Sequence, residues 1–252
     1  VAVLFVPGET FSAFSRFRVT AAEARQAADG FARELGIDPG RYRAVTWVAN
    51  EMPGEAGEYL LERRPVEFLR EACRRLVPVH SWTVRYYRGL EKEEIRVRVH
   101  PATGKVIGFE HRLPEERAGA DLAGEAAQKM AAEYVAGRGF DLATLELKET
   151  TSEKKKQRRD HKLVWEARSG DERNVDEARY RVQVEVAGDR VASLRTLWKL
   201  PESFVRERGR RNALANTLLM LKLAVWGGGI LAALYLLIQH TRQGRSRWRQ
   251  AL

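Results

Sequence analysis

Residues 213–238 read ALANTLLMLKLAVWGGGILAALYLLI, and no other stretch limits the forms open to this chain so strongly. Lys222 is the only charge there, and residues 223–238 hold no charged or strongly polar side chain. At about 1.5 Å per residue, roughly 20 helical residues cross a bilayer core of about 30 Å. A core helix of a soluble protein normally keeps a polar stripe, and this stretch has none. It therefore reads as a transmembrane helix over residues 213–239, flanked by a basic juxtamembrane linker (203–212) and a basic tail (240–252). Lys222 lies near the entry end, where its stem can snorkel to the interface. The run Gly227-Gly228-Gly229 would weaken a helix in water, yet in lipid it lets a second helix come close, so other transmembrane helices are expected partners.

The remainder is water-compatible. Of 252 residues, 44 are Lys or Arg and 34 Asp or Glu, a formal charge of +10, and a hydrophobic fraction of 44% suffices for a core and excludes a wholly disordered or collagen-like chain. Arg206, Arg208, Arg210 and Arg211 precede the span and Arg242, Arg245, Arg247 and Arg249 follow it, so counting positive flanks gives a tie. A long preceding domain is translocated whatever its charge, and the C-terminal flank has no acidic residue, which favours a cytoplasmic tail and a folded part outside. Residues 1–18 form an N-terminal segment whose apolar start, Val1 to Val6, fits either the last turns of an earlier membrane helix or an ordinary first strand.

Between these ends one unit recurs. Thr20-Ala21-Ala22-Glu23 has the form of a capping box and opens a helix stopping at Gly36, and a second helix begins near Leu122 and stops around Gly137 to Gly139. Four strand-like stretches follow each: 42–49, 82–87, 94–100 and 105–111 in the first copy, then 144–148, 162–168, 178–186 and 190–199 in the second. Glu23-Ala24 matches Glu125-Ala126, Trp82 matches Trp165, Gly104-Lys105-Val106 matches Gly188-Asp189-Arg190-Val191, and Leu113-Pro114-Glu115 matches Leu200-Pro201-Glu202. The first copy also carries an amphipathic helix (65–77), read as an insertion with Phe68, Leu69, Ala72, Cys73 and Leu76 on one face. The predicted fold class is α+β: two tandem modules, 19–117 and 118–202, each a helix across an antiparallel sheet and packed side by side, ahead of one transmembrane helix.

A helix followed by a small meander with a Gly turn before its last strand resembles the PepSY (cystatin-like) module of bacterial extracytoplasmic proteins. The order of Trp82-Thr83-Val84-Arg85, the Gly104-Lys105-Val106 turn, Phe109-x-His111-x-Leu113-Pro114-Glu115, Arg159-Asp160-His161-x-x-Val164-Trp165-Glu166 and Leu200-Pro201-Glu202 extends the likeness. It is similar to the N-terminal extracytoplasmic region of bacterial CPBP-family (CAAX-endopeptidase-like) intramembrane metalloproteases. The resemblance implies a bacterial inner-membrane protein whose modules regulate a protease or recognise its peptide or protein substrate. It also implies that the catalytic carboxylates, histidines and zinc belong to later membrane helices, leaving no cofactor in this chain. Glu93-Glu94-Ile95-Arg96-Val97-Arg98 matches the family's Glu-Glu-x-x-x-Arg pattern, but it alternates as a strand in a soluble segment and reads as a decoy. The competing reading is a stand-alone, single-pass envelope protein that captures a peptide or lipid.

No residue is assigned to catalysis or to a metal. The histidines, His80, His100, His111, His161 and His240, show no i, i+4 pair, and neither a Gly-x-Ser-x-Gly elbow nor a phosphate loop occurs. Cys73 is the only cysteine, which excludes an intrachain disulfide and suits a core gap. Arg159, Asp160 and His161 form the candidate ligand or pH-sensing cluster, against a structural reading in which Asp160 pairs with a nearby Arg. Lys154, Lys155, Lys156 and Arg158 are the candidate contact to anionic headgroups, against a solvated loop tip. A membrane anchor without any DNA or RNA motif argues against nucleic acid. Trp47, Trp82, Tyr86, Tyr87, Trp165 and Trp198 fall at strand positions, most of them expected in the core and an exposed subset able to line a groove between modules, whereas Trp226 and Trp248 suit interfacial anchoring or helix contact.

Overall fold

The computed structural model describes residues 15–52 and 54–242. The reading of Val1 to Val6, and that of Trp248 and the tail beyond Arg242, lie outside the described residues. The described residues divide into two compact units, one ending at Pro201 and the other beginning at Glu202.

In the first unit the order is α1 (Ala21–Glu34), β1 (Arg43–Asn50), α2 (Gly54–Arg63), α3 (Val66–Arg75), β2 (His80–Tyr87), β3 (Glu94–Val99), β4 (Val106–Arg112), α4 (Gly124–Gly137), β5 (Leu145–Lys154), β6 (Arg159–Ala167), β7 (Arg179–Ala187) and β8 (Arg190–Lys199). The capping box forms as expected: Thr20 Oγ1 accepts from the Glu23 amide at 3.3 Å, and the Glu23 carboxylate takes the Thr20 amide at 2.8 Å. Both helices end by the same device. Gly36 (φ +74°) and Gly139 (φ +85°) adopt the left-handed conformation, after which the amides of Ile37 and Phe140 return to the carbonyls of Ala32 and Val135. Asp38 and Asp141 then cap single 3-10 turns by accepting from the amides of Gly40 and Ala143.

The strands form one antiparallel sheet in the order β1-β2-β3-β4-β8-β7-β6-β5. This corrects the expectation of two separate sheets packed side by side. The halves share a sheet because β4 pairs with β8, through Phe109 with Leu194 and Glu110 with Ser193. At that seam the two backbones come unusually close. A Cβ on Gly108 would stand 2.7 Å from the Leu194 carbonyl oxygen, and the Arg98 guanidinium reaches across to donate to that oxygen at 3.0 Å. A single core lies under both helices: Phe109 packs edge-on against Phe31 of α1, 5.1 Å between ring centres, and lies 6.0 Å from Tyr134 of α4. Val84, Tyr86, Ile95, Val97, Leu163, Val182 and Val184 fill the same layer, each with essentially no exposed surface. Burying one such side chain is worth about 1.5–3 kcal/mol, so this layer outweighs any surface ion pair described below.

Three further differences have local causes. The insertion is a helix pair: α2, missed in a stretch broken by Gly54 and Gly57, buries Tyr59 and Leu60 beside α3, which buries Leu69, Ala72 and Cys73. Burial pushes the Cys73 thiol up to about 12, which keeps it protonated and inert. Strand β5 runs on through Lys154, beyond the expected end at Lys148, because β6 supplies partners along its whole length. Trp47 does not fill the core; it stands 37% exposed on edge strand β1.

The second unit contains α5 (Glu202–Arg242), which is continuous through the residues expected to form a linker. It is long and apolar enough to cross a membrane. Its 41 residues would extend about 60 Å, twice the thickness of a bilayer core, so the charged first turns would project into water. Cβ atoms on Gly227, Gly228 and Gly229 would meet nothing within 4 Å, leaving that stretch of backbone bare.

Candidate functional site

The residues singled out in the sequence collect around the β5–β6 hairpin, where a cleft of about 510 Å³ opens between β4 and β6 at the end of the sheet. Its lining includes His111, Lys155, Arg158, Asp160, His161 and Lys162. A tight turn closes the hairpin, with the Lys155 amide donating to the Arg158 carbonyl at 2.8 Å. Strand alternation then separates Asp160 and His161 onto opposite faces.

Arg158 is a buried clamp, with its side chain only 4% exposed. Its Nε donates to Asp160 Oδ1 at 2.8 Å, and Nη1 donates to the carbonyls of Pro114 and Arg117 at 2.6 and 2.9 Å. It therefore pins the segment joining the two halves and is not available to headgroups. Gly119 of that segment packs against it: a Cβ there would lie 3.1 Å from the Arg158 Cβ. Gly188, at φ +62°, makes the matching close approach from the β7–β8 turn, its own Cβ position 3.0 Å from the Ala120 amide nitrogen. His161, 2% exposed, holds the same segment from the other face. Its Nε2 lies 3.0 Å from the Leu122 carbonyl and its Nδ1 2.8 Å from Ser152 Oγ, contacts that assign the proton to Nε2 and let Nδ1 accept the serine hydroxyl. Asp160 and His161 thus both border the cleft but bond to different partners, and Arg159 turns away to Asp121.

The lysine run meets an acidic counterpart on the connecting segment. Lys154 and Arg159 share Asp121 at 2.9 and 2.7 Å, Lys155 lies 3.7 Å from Glu115 and 2.5 Å from Glu153 of its own hairpin, and Lys156 lies 3.7 Å from Glu116. Lys154, first among the causes, holds the Asp121 carboxyl below its usual range. Lys154 and Lys156 remain 66% and 70% exposed, so these pairs are weak and the ammonium groups stay accessible.

One buried pair had no prominent sequence signal. His111 Nε2 meets Glu93 Oε1 at 2.8 Å with both side chains under 9% exposed, and Arg88 supports Glu93 from 3.2 Å. Burial lowers the His111 imidazole below its ordinary range, against the opposing pull of Glu93. The register places Glu93 one residue before the Glu94–Arg112 pair, so the hairpin register is the signal that links it to His111. Glu94 turns to Arg85, Arg96 and Arg112, so the two carboxylates of the decoy motif serve different partners. Among the described residues no three His, Cys, Asp or Glu side chains converge as a metal-binding group.

Comparison with protein-family models, curated proteins and solved structures finds no match to this chain.

Proposed function

We propose that this chain is a non-catalytic, membrane-tethered recognition or regulatory region of a CPBP-type (CAAX protease-like) metalloprotease, built from two PepSY-like units. The observation that supports this reading is the repetition itself. Each half runs helix, left-handed glycine, Asp-capped turn and four antiparallel strands, and the second copy is followed by a helix apolar enough for a bilayer. In this reading the units face the outside of a bacterial inner membrane and hold or restrain a protein substrate, while zinc and the catalytic carboxylates belong to other membrane helices that pack on Gly227 to Gly229. Sequencing the coding region past Leu252 tests it. Further apolar spans carrying Glu-Glu-x-x-x-Arg and paired histidines support the protease, and a nearby stop codon refutes it.

One feature favours the alternative, a single-pass envelope protein that binds an anionic peptide or lipid. A groove of about 480 Å³ beside α3 is lined by five arginines, Arg16, Arg18, Arg70, Arg74 and Arg75, against two carboxylates, Glu67 and Glu71. Glu71 pairs with Arg74 and Arg75, whereas Arg16 and Arg18 have no ion pair among the described residues. Binding of anionic vesicles to the full chain that is lost on Arg16→Glu with Arg18→Glu would favour this alternative.

A further inference from the structure

The two edges of the sheet are built differently. Strand β5 carries Glu146, Lys148, Glu149, Glu153 and Lys154 and a register shift between Leu147 and Glu149, the usual protections against edge pairing. Strand β1 has neither. Its register with β2 is unbroken from Arg43 to Asn50, Arg43 is its only charge, and Val45, Trp47 and Val48 stand 47%, 37% and 42% exposed. A long, regular edge of this kind, to which no strand pairs on the outer side among the described residues, is a template for another strand.

We propose that this edge binds the β1 edge of a second copy of the chain, antiparallel about a two-fold axis at Trp47, which makes one continuous sheet of the two eight-stranded ones. The charge order of the strand selects this occupant. The ladder continues one residue past β1, because the Glu51 amide donates to the Val79 carbonyl at 2.8 Å. With Trp47 opposite Trp47 of the partner, Arg43 falls opposite the partner's Glu51, Val45 opposite the partner's Ala49 and Thr46 opposite the partner's Val48. The ladder, counted through Glu51, begins with a cation, ends with an anion and is uncharged between, so antiparallel pairing with itself places opposite charges at both ends. Arg43 has no ion pair among the described residues. Glu51, 15% exposed, is ion-paired with Arg98 at 3.3 Å and accepts from Ser81 at 2.5 Å, and each of its oxygens retains a lone pair through which the partner's Arg43 would share it. Because Arg43 and Glu51 lie eight positions apart, both point to the same face of the sheet.

The axis makes a position-specific test possible. Opposed Cα atoms in an antiparallel pair lie about 4.5–5.5 Å apart, within disulfide range, whereas diagonal neighbours lie about 7–8 Å apart and beyond it. The full chain in detergent, carrying Trp47→Cys, is expected to cross-link to a dimer under mild oxidation. The wild-type chain with its buried Cys73, the Thr46→Cys variant and a β5-edge variant, Thr151→Cys, are expected to give only traces. Arg43→Glu should weaken the dimer about tenfold by light scattering, and Trp47→Lys or Val45→Lys should give monomers with unchanged circular dichroism. Cross-linking at Trp47→Cys no stronger than at Thr151→Cys overturns the proposal, as does a dimer that persists in both lysine variants. A monomeric wild-type chain overturns it too, leaving the edge to a different partner.

Discussion

The seam between the halves predicts opposite signs for two apparently identical substitutions. In Gly108→Ala the new methyl would sit 2.7 Å from the Leu194 carbonyl oxygen and 3.0 Å from Arg98 Nη2, against an ordinary carbon–oxygen contact above about 3.3 Å. The arginine can give way, but the carbonyl belongs to backbone, so β4 and β8 must part by roughly half an ångström where only two residue pairs join them. Overpacking of this kind costs about 1–3 kcal/mol. The smaller unfolded-state entropy of alanine returns about 0.5–1 kcal/mol, so the net loss is about 0–2.5 kcal/mol, toward the upper end because backbone must move. In Gly30→Ala the site is inside α1 with nothing within 4 Å, and the same change should stabilise by about 0.5–1 kcal/mol. For a unit of this size these become a fall of up to about 10 °C and a rise of about 1–4 °C in Tm, read by near-UV circular dichroism of the full chain in detergent. Faster amide exchange in Gly108→Ala should be confined to β4 and β8. A Gly108→Ala chain as stable as wild type would refute the close approach and with it the account of how the halves join.

Four other outcomes follow from contacts described above. Arg158→Met removes the donor to Asp160 and to the Arg117 carbonyl, while the Pro114 carbonyl keeps the Arg117 amide, and should cost about 1–3 kcal/mol, with protease cleavage appearing between Leu113 and Ala123. Burial holds the imidazoles of His111 and His100 below their ordinary range, so the unfolded chain takes up their protons first as pH falls. Stability should therefore be level above about pH 6.5 and decline below it, by up to about 1.4 kcal/mol per pH unit for each histidine until the folded state also protonates. Thermal melts from pH 7.5 to 5.5 test this, and His111→Gln should flatten the decline. Lys154→Glu with Lys156→Glu should change stability by less than about 1 kcal/mol by the same melts, since both pairs are exposed. Leu231→Arg with Leu234→Arg should release the chain from the membrane fraction on alkaline extraction if α5 spans a bilayer.

What the sequence made legible was what local chemistry determines. The capping box at Thr20, the alternation of Ile95, Val97 and Val99, and the glycines at 104 and 188 each act within a few residues, and each is found where expected. Strand β5 was cut short because both faces of an edge strand beyond Leu147 meet solvent, which erases the alternation that marks a strand. The seam was invisible because its determinants, Gly108 and Arg98, are a small residue and a charge, and neither carries a periodic signal. Which partners Arg159, Asp160 and His161 take was not legible, because strand alternation sends adjacent side chains to different neighbours even where two of them border one cleft. Arg158 was taken for part of a solvated basic run, although a guanidinium with three oxygen acceptors can be buried where a lysine would not satisfy them.

The narrowness of the β4–β8 junction also has a kinetic meaning. Within each half every strand pairs with one that adjoins it along the sheet and lies close in the chain, apart from β1 and β2, which the helix pair separates. Such contacts close small loops and form early, whereas Phe109 and Leu194 must meet across most of the second half. The halves should then gain structure independently and join last. During synthesis the first half would wait with the unfinished edge of β4 exposed until β8 emerges, and that interval is when the chain is most open to pairing with the wrong neighbour.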